Sequence, residues 1–212
     1  MNLQNYYYYF KKALSPDICN KIIKLGNSKQ EQLALTGNQT NKIKDKKLLT
    51  KKEIKDLKKK RDSNIVWLNE RWIYDQIQPY IHQANKSAGW NFDWDWSEAC
   101  QFTKYKKEQF YDWHNDCWPL PYDNLNDVNT HGKIRKLSVT CSLSDPKDYK
   151  GGELEFDFRN KENGKPVIKK CMEILSQGSI VVFPSFVWHR VKPVTKGTRY
   201  SLVIWNLGQP FK

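Results

Sequence analysis

From Trp94 onward the chain breaks into short alternating segments divided by turn residues, and this pattern limits its fold more than any other feature. The segments lie at about 98–105, 109–116, 135–143, 152–158, 171–175, 179–183, 187–193 and 198–206. Two of them show the period-2 alternation of a strand with distinct faces. In "KLSVTCSL", Leu137, Val139, Cys141 and Leu143 share one face. In "RYSLVIWN", Arg199, Ser201, Val203 and Trp205 share one face, and Tyr200, Leu202 and Ile204 the other. Eight short strands following helices predict a β-sandwich or barrel with helices packed outside.

The helices come first. In "LSPDICNKIIKLG", Ser15 suits a cap and Pro16 the first turn, Ile18, Ile22 and Leu25 form one stripe, and Gly26 is the expected end. A basic helix is expected at about 50–60, and another at about 69–86, where Trp72, Ile73, Ile77, Tyr80, Ile81 and Ala84 recur at helical spacing. The tyrosine run at 6–9 reads as an edge strand or packing arm. A chain of 212 residues can bury a real core, and no repeat or clear boundary divides it. The expectation is one domain over 1–212, with a helical buttress at 1–93 and a β core at 94–208.

The net charge of +13 is concentrated. Residues 42–61 hold eleven Lys/Arg and three Asp/Glu, which is +8, so the other 192 residues carry only +5. Such a run can meet nucleic acid or an acidic partner, but its bland reading is a solvated helix face, and no nucleic-acid-binding fingerprint accompanies it. No apolar run approaches the roughly 20 residues of a membrane span. The N-terminus lacks the layout of a signal peptide. Five scattered cysteines without a C-x-x-C pair fit reduced thiols in a cytosol.

"YDWHND" places His114 and Asp116 two residues apart, so on a strand they point to one face. Adding His189, from "FVWHRV", gives the two-histidine, one-carboxylate set that binds non-haem Fe(II) and leaves other coordination positions open. Arg199 follows ten residues after His189, and a hairpin pairing would bring both to one interior. A buried arginine needs an anionic partner, and a carboxylate gripped by its guanidinium supplies one. Iron beside a carboxylate-binding arginine suits a 2-oxo acid co-substrate. His131, in a loop, and His82, near a helix end, read as surface residues.

Three segments in order carry a family resemblance: "EACQFTKYKKEQFYDWHND", "RKLSVTCSLSD…GGELEF" and "FPSFVWHRVKPVTKGTRYSLVIW". Over about residues 61–207 the chain resembles the 2-oxoglutarate/Fe(II) oxygenase superfamily, and within it prolyl 4-hydroxylase domains. The resemblance implies a mainly β fold with supporting helices, built on a double-stranded β-helix (jelly-roll, cupin-like) core. It implies Fe(II), 2-oxoglutarate and O2 as reactants, ascorbate as an auxiliary reductant, and a proline-containing peptide or protein as substrate. His114, Asp116 and His189 would hold iron, Arg199 the far carboxylate of 2-oxoglutarate, and Tyr105 would hydrogen-bond the co-substrate. Arg61, Ser63, Glu98, Tyr111, Arg135 and Trp205 match positions implied in substrate binding. The chain departs from the family at Ser142 and Leu207, both expected near the substrate pocket. Residues 117–134 are the expected closing loop, over a pocket that Trp113, Trp118 and Trp188 could shield. Two other readings stand beside this one: the same chemistry on a free amino acid, another side chain or a small metabolite, and a nucleic-acid-associated protein with a vestigial iron site.

Overall fold

The computed structural model describes residues 3–36 and 49–211, so the part of the basic run at 42–48 lies outside the described residues. The described residues form fifteen strands in chain order: β1 (Tyr8–Phe10), β2 (Gln32–Leu33), β3 (Arg61–Asp62), β4 (Asn64–Leu68), β5 (Trp96–Ser97), β6 (Cys100–Tyr105), β7 (Phe110–His114) and β8 (Ile134–Ser142), then β9 (Tyr149–Gly151), β10 (Leu154–Glu162), β11 (Lys165–Lys170), β12 (Ile180–Pro184), β13 (Trp188–Val191), β14 (Val194–Gly197) and β15 (Arg199–Gly208). A major antiparallel sheet runs β1-β12-β8-β15-β6-β4-β2, with β5 also pairing β15. A minor sheet runs β11-β10-β13-β7-β3, and β14 pairs β9 apart from both.

Alternation along the central strands sorts their residues between two cores. Phe102, Leu137, Val139, Cys141, Ile180, Val182, Leu202 and Ile204 join one apolar cluster with the buried stripes of the helices. Tyr105, Val181 and Phe183 of the major sheet join Leu154, Phe156 and Val191 of the minor sheet in a second cluster, so the two sheets pack face to face. The helix-buttressed β-sandwich predicted from the strand pattern, and the mainly β jelly-roll implied by the family resemblance, is the architecture observed.

Among the described residues, three helices buttress the outer face or edge of this sandwich. In α1 (Pro16–Ser28) the Ser15 hydroxyl accepts from the Ile18 N–H, satisfying one of the orphan donors of the first turn. Gly26 does not end this helix. It lies within it, and a Cβ there would come within 2.4 Å of the Phe102 ring, so its bare Cα serves close packing. In α2 (Lys51–Lys58) Thr50 and Glu53 form a reciprocal capping box and Leu57 is the buried anchor. In α3 (Arg71–Ser87) Ile73, Ile77, Ile81 and Ala84 form the buried stripe. No helix among the described residues is long and apolar enough to cross a membrane.

Other expectations are corrected. Residues 1–93 are not only helical, because β1, β2 and β4 extend the major sheet and β3 the minor one. Tyr8–Phe10 is the edge strand expected of the tyrosine run. The strand expected at 171–175 is a 3-10 turn at Met172–Ile174, closed by the Leu175 N–H on the Met172 carbonyl. The strand at Lys165–Lys170 was not anticipated; all six of its residues are exposed, so no apolar alternation marks it.

Candidate active site

Between the sheets opens a pocket of about 590 Å³, within the range that holds a small ligand and a substrate side chain. His114 and His189 stand on its minor-sheet wall, directly opposed across β7 and β13. Each Nδ1 faces a backbone carbonyl, Asp112 at 2.7 Å and Val187 at 2.9 Å. A carbonyl only accepts, so each Nδ1 carries the proton and each Nε2 presents a bare lone pair. Both Nε2 atoms turn to Asp116, that of His114 at 3.9 Å from Oδ1 and that of His189 at 3.6 Å from Oδ2.

Asp116 is not on the strand. β7 ends at His114, and the carboxylate is aimed by different means. Its backbone N–H donates to the Ser185 carbonyl at 2.8 Å, and the Ser138 hydroxyl donates to Oδ2 at 2.7 Å. Ser185 Oγ lies 2.9 Å from Ser138 Oγ, and because the Ser138 proton is committed to Asp116, Ser185 donates. Burial opposes the charge on Asp116, Arg135 and the Ser138 hydroxyl favour it, and the carboxyl lies below its usual range. Burial, and then His189, hold His114 well below the ordinary imidazole value, so it is neutral.

Two bare imidazole nitrogens and an ionised carboxylate, all within 4.8 Å of one another, are the donor set of a metal ion. The two nitrogens have no proton to give the carboxylate. Without a cation their lone pairs only repel, and with one each is satisfied. Iron with open positions fits this set of nitrogen and oxygen donors.

Arg199 stands on the major-sheet wall, 3% exposed, paired in register with Tyr105. Its guanidinium carbon lies 5.5 Å from the Tyr105 ring, and Nη1 donates to Ser201 Oγ at 3.2 Å. Gly152 makes room for it, since a Cβ there would fall 2.8 Å from Arg199 Cδ. The hairpin expected between the strands of His189 and Arg199 does not form. β13 pairs with β10 and β7, whereas β15 pairs with β6 and β8 in the other sheet, because β14 intervenes and pairs with β9. The two residues meet by facing across the sandwich, and both line the pocket.

Of the residues expected on the substrate side, Arg61, Glu98, Tyr111, Arg135 and Trp205 line the same pocket. Ser63 does not; it is fully buried and accepts from Arg61 Nε at 3.0 Å. Arg61 lies over the Tyr111 ring at 4.4 Å, and Tyr111 stacks on His114 with centroids 3.5 Å apart. Glu98 grips Arg135 bidentately at 2.7 and 2.6 Å, and Arg135 lies 3.9 Å over Trp205. Tyr122, from the loop at 117–134, donates to Glu98 Oε1 at 2.9 Å and lines the pocket with Cys117 and Trp118. Trp113 and Trp188 do not line it and carry Arg190 and Arg159 over their rings. Ser142 and Leu207 are likewise absent from its lining. His82 stacks on Trp94 and His131 is exposed, both away from the pocket.

Ser138 and Ser185 were missed by sequence reasoning. Ser138 sits on the polar face of β8, opposite Leu137 and Val139, which is the one signal that could have found it.

The model of the 2OG-Fe(II) oxygenase superfamily matches residues 100–206, just over half of the chain. A PKHD-type hydroxylase of Pseudoalteromonas atlantica is 35% identical over 106 residues, 50% of this chain and 41% of that protein. One of Hyphomonas neptunium is 44% identical over 91 residues, 42% of this chain and 37% of that protein. The chain therefore matches less than half the length of these curated relatives. The solved viral collagen prolyl hydroxylase of Paramecium bursaria Chlorella virus-1, in its 2OG complex, superposes with a TM-score of 0.62 at 18% identity over 97% of each chain. A prolyl hydroxylase of Trichoplax adhaerens, in complex with a hypoxia inducible factor peptide fragment, gives 0.60 at 16% identity, covering 96% of this chain and 84% of that one. At these identities the likeness establishes the shared double-stranded β-helix fold.

Proposed function

This chain belongs to the 2OG-Fe(II) oxygenase superfamily, and we propose that it hydroxylates prolyl residues of a peptide or protein, consuming 2-oxoglutarate and O2. The observation that carries this reading is the convergence, in one pocket, of three metal donors with the buried Arg199 opposite them. His114, Asp116 and His189 hold Fe(II). Arg199, steadied by Ser201 and lying against Tyr105, grips the far carboxylate of 2-oxoglutarate. Bound together, the metal and the 2-oxo acid supply an oxidant that places one oxygen atom of O2 in a C–H bond and the other in succinate, with loss of carbon dioxide. The protein's own part is orientation. The carbonyls of Asp112 and Val187 fix the tautomers of the two histidines, Ser138 and Ser185 aim the carboxylate, and Arg61, Tyr111, Arg135 and Trp205 wall the space where a substrate side chain lies against the metal. Tyr122 holds the 117–134 loop over that space and restricts water.

Prolyl hydroxylation is favoured over a small metabolite by the relatives named PKHD-type hydroxylases and by the prolyl hydroxylases that share the fold. We read the described residues as one catalytic domain, and the five cysteines free of disulfides as fitting a reducing cytosol. The test is succinate formation with Fe(II), 2-oxoglutarate and ascorbate, coupled to mass spectrometry of prolyl peptides. Gain of one oxygen on proline, lost in His114→Ala and His189→Ala, is the expected result. Turnover that survives either substitution overturns the site, and succinate coupled to a free metabolite but to no prolyl peptide overturns the substrate.

A further inference from the structure

The pocket is lined by three guanidinium groups, of Arg61, Arg135 and Arg199, and by two carboxylates, of Glu98 and Asp116. Glu98 neutralises Arg135. On the proposed function, on which this inference rests, a dianionic co-substrate answers Arg199 and balances the metal and Asp116 together. Arg61 is left over. It is only 4% exposed, its Nε donates to the neutral Ser63 hydroxyl, and its Nη2 is buried with no partner. A buried cation without an anion is costly, so the site is complete only when a ligand brings an acceptor to it.

Outside the pocket, the same stretch of chain continues as a lysine stripe. In α2, Ile54 and Leu57 turn inward, while Lys51, Lys52, Lys55, Lys58, Lys59 and Lys60, in and just after the helix, are exposed. Lys58 and Lys59 have carboxylate partners in Asp62 and Asp56, but Lys51, Lys52, Lys55 and Lys60 have none among the described residues. Lys51 and Lys55 lie at i,i+4, where like charges destabilise a helix, so helix stability does not account for them. Lys58 is three residues from Arg61, and their Cα atoms can be at most about 11 Å apart, the span of three extended residues.

We propose that the lysine stripe of α2 and the free edge of Arg61 form one docking surface for an acidic segment of the substrate polypeptide that flanks the hydroxylated position. An acidic peptide fits better than a nucleic acid. A duplex-binding protein makes about six to ten phosphate contacts, whereas the described part of the stripe offers four unpaired lysines, close in sequence to a pocket sized for one side chain.

Prolyl peptides of one sequence are prepared with Asp/Glu, or with Asn/Gln, at the positions flanking the proline. Binding is read by fluorescence anisotropy, without turnover, and KM and kcat are measured in parallel. The acidic peptide should bind roughly fivefold or more tightly, with the advantage in KM and not in kcat, and about 0.5 M salt should erase it. The triple variant Lys51→Gln/Lys52→Gln/Lys55→Gln should remove most of that advantage and leave turnover of the neutral peptide unchanged. Equal affinity for the two peptides, or an acidic preference that survives the triple substitution, overturns the proposal. So does an oligonucleotide that binds through these lysines more tightly than the acidic peptide. Hydroxylation of both peptides without preference sinks this inference and leaves the prolyl reading standing. Lysine-dependent binding of the acidic peptide with no prolyl oxygenation does the reverse.

Discussion

Ser138→Ala should weaken metal binding without unfolding the protein. The Ser138 hydroxyl is fully buried and donates to Asp116 Oδ2 at 2.7 Å, the short distance of a charge-assisted bond. Such bonds contribute about 1.5–3 kcal/mol, and at 1.4 kcal/mol per tenfold that is roughly 10- to 150-fold in affinity if the whole term serves the ligand geometry. Partners that orient a metal ligand typically contribute 10- to 100-fold, so the two estimates agree. The substitution also deprives the Ser185 hydroxyl of its acceptor, which adds to the loss and not to any rescue. The backbone bond from Asp116 to Ser185 remains, so the carboxylate is still delivered to the site but is free to rotate. The assay is a titration of the metal-free protein with Mn(II), followed by electron paramagnetic resonance, beside a thermal melt of the same metal-free sample. Ser138→Thr keeps a hydroxyl on a strand that favours β-branched residues and should restore the affinity, whereas Ser138→Val, of like shape, should not. A Kd for Ser138→Ala within twofold of the parent, or equal values for the Thr and Val variants, would refute the assignment of the hydroxyl as the group that aims Asp116.

Gly26→Ala should destabilise the fold by about 1–2 kcal/mol in urea denaturation, because a Cβ 2.4–2.6 Å from three atoms of the Phe102 ring overpacks the core by more than the ~1 kcal/mol gained in helix propensity; a stabilised variant contradicts this. Of five cysteines, only Cys117 should react quickly with a thiol reagent at pH 8 in the native state, and Cys117→Ser should remove that reaction. The others are buried, with Cys19 pushed up to about 11, Cys100 and Cys171 to about 12, and Cys141 well above the ordinary thiol value. Two or more thiols reacting at one rate would count against this. The metal-free protein should lose stability as pH falls below about 6.5, by up to ~1.4 kcal/mol per pH unit from His114 alone. The sign follows from the direction of its shift: the unfolded chain binds a proton there that the folded imidazole refuses, so the contribution is present above the unfolded pKa and lost below it. Urea midpoints from pH 7 to 5.5 should therefore fall less steeply for His114→Gln than for the parent, and parallel slopes would show that His114 is not the group.

What could be read from the residues alone divides along physical lines. The alternation at 137–143 and 199–205 was legible because one face meets the helices and the other the pocket, which leaves opposite chemistries at neighbouring positions. Lys165–Lys170 carried no such signal, since both its faces are exposed and only pairing with β10 holds it extended. At 171–175 the apolar spacing suggested a strand, but the Cys171 N–H bonds to the Leu154 carbonyl and the next residues curl. Gly26 looked like a stop because its use depends on Phe102, 76 positions away in sequence and invisible to any local rule. The metal donors were legible as residue types. The way Arg199 meets them was not, because His189 and Arg199 are near in sequence yet belong to different sheets.

That division also explains how the site is held. Both histidines stand on the minor sheet, opposed across one strand pair, and their tautomers are set by carbonyls two residues before each. Asp116 leaves the minor sheet just after β7 and reaches across the sandwich, where its N–H meets Ser185 at the end of β12 and its carboxylate meets Ser138 on β8. The donor triad therefore closes only when the two sheets are packed at their native separation, since neither sheet alone orients all three groups. Arg199 depends on the same packing from the other side, because the turn at Gly152, next to β10, must lie against its side chain. The apolar cluster of Phe156, Phe183 and Val191 that joins the sheets is thus what brings the metal donors and the carboxylate-binding cation to one pocket. An aliphatic truncation in that cluster perturbs the chemistry without touching a single functional atom.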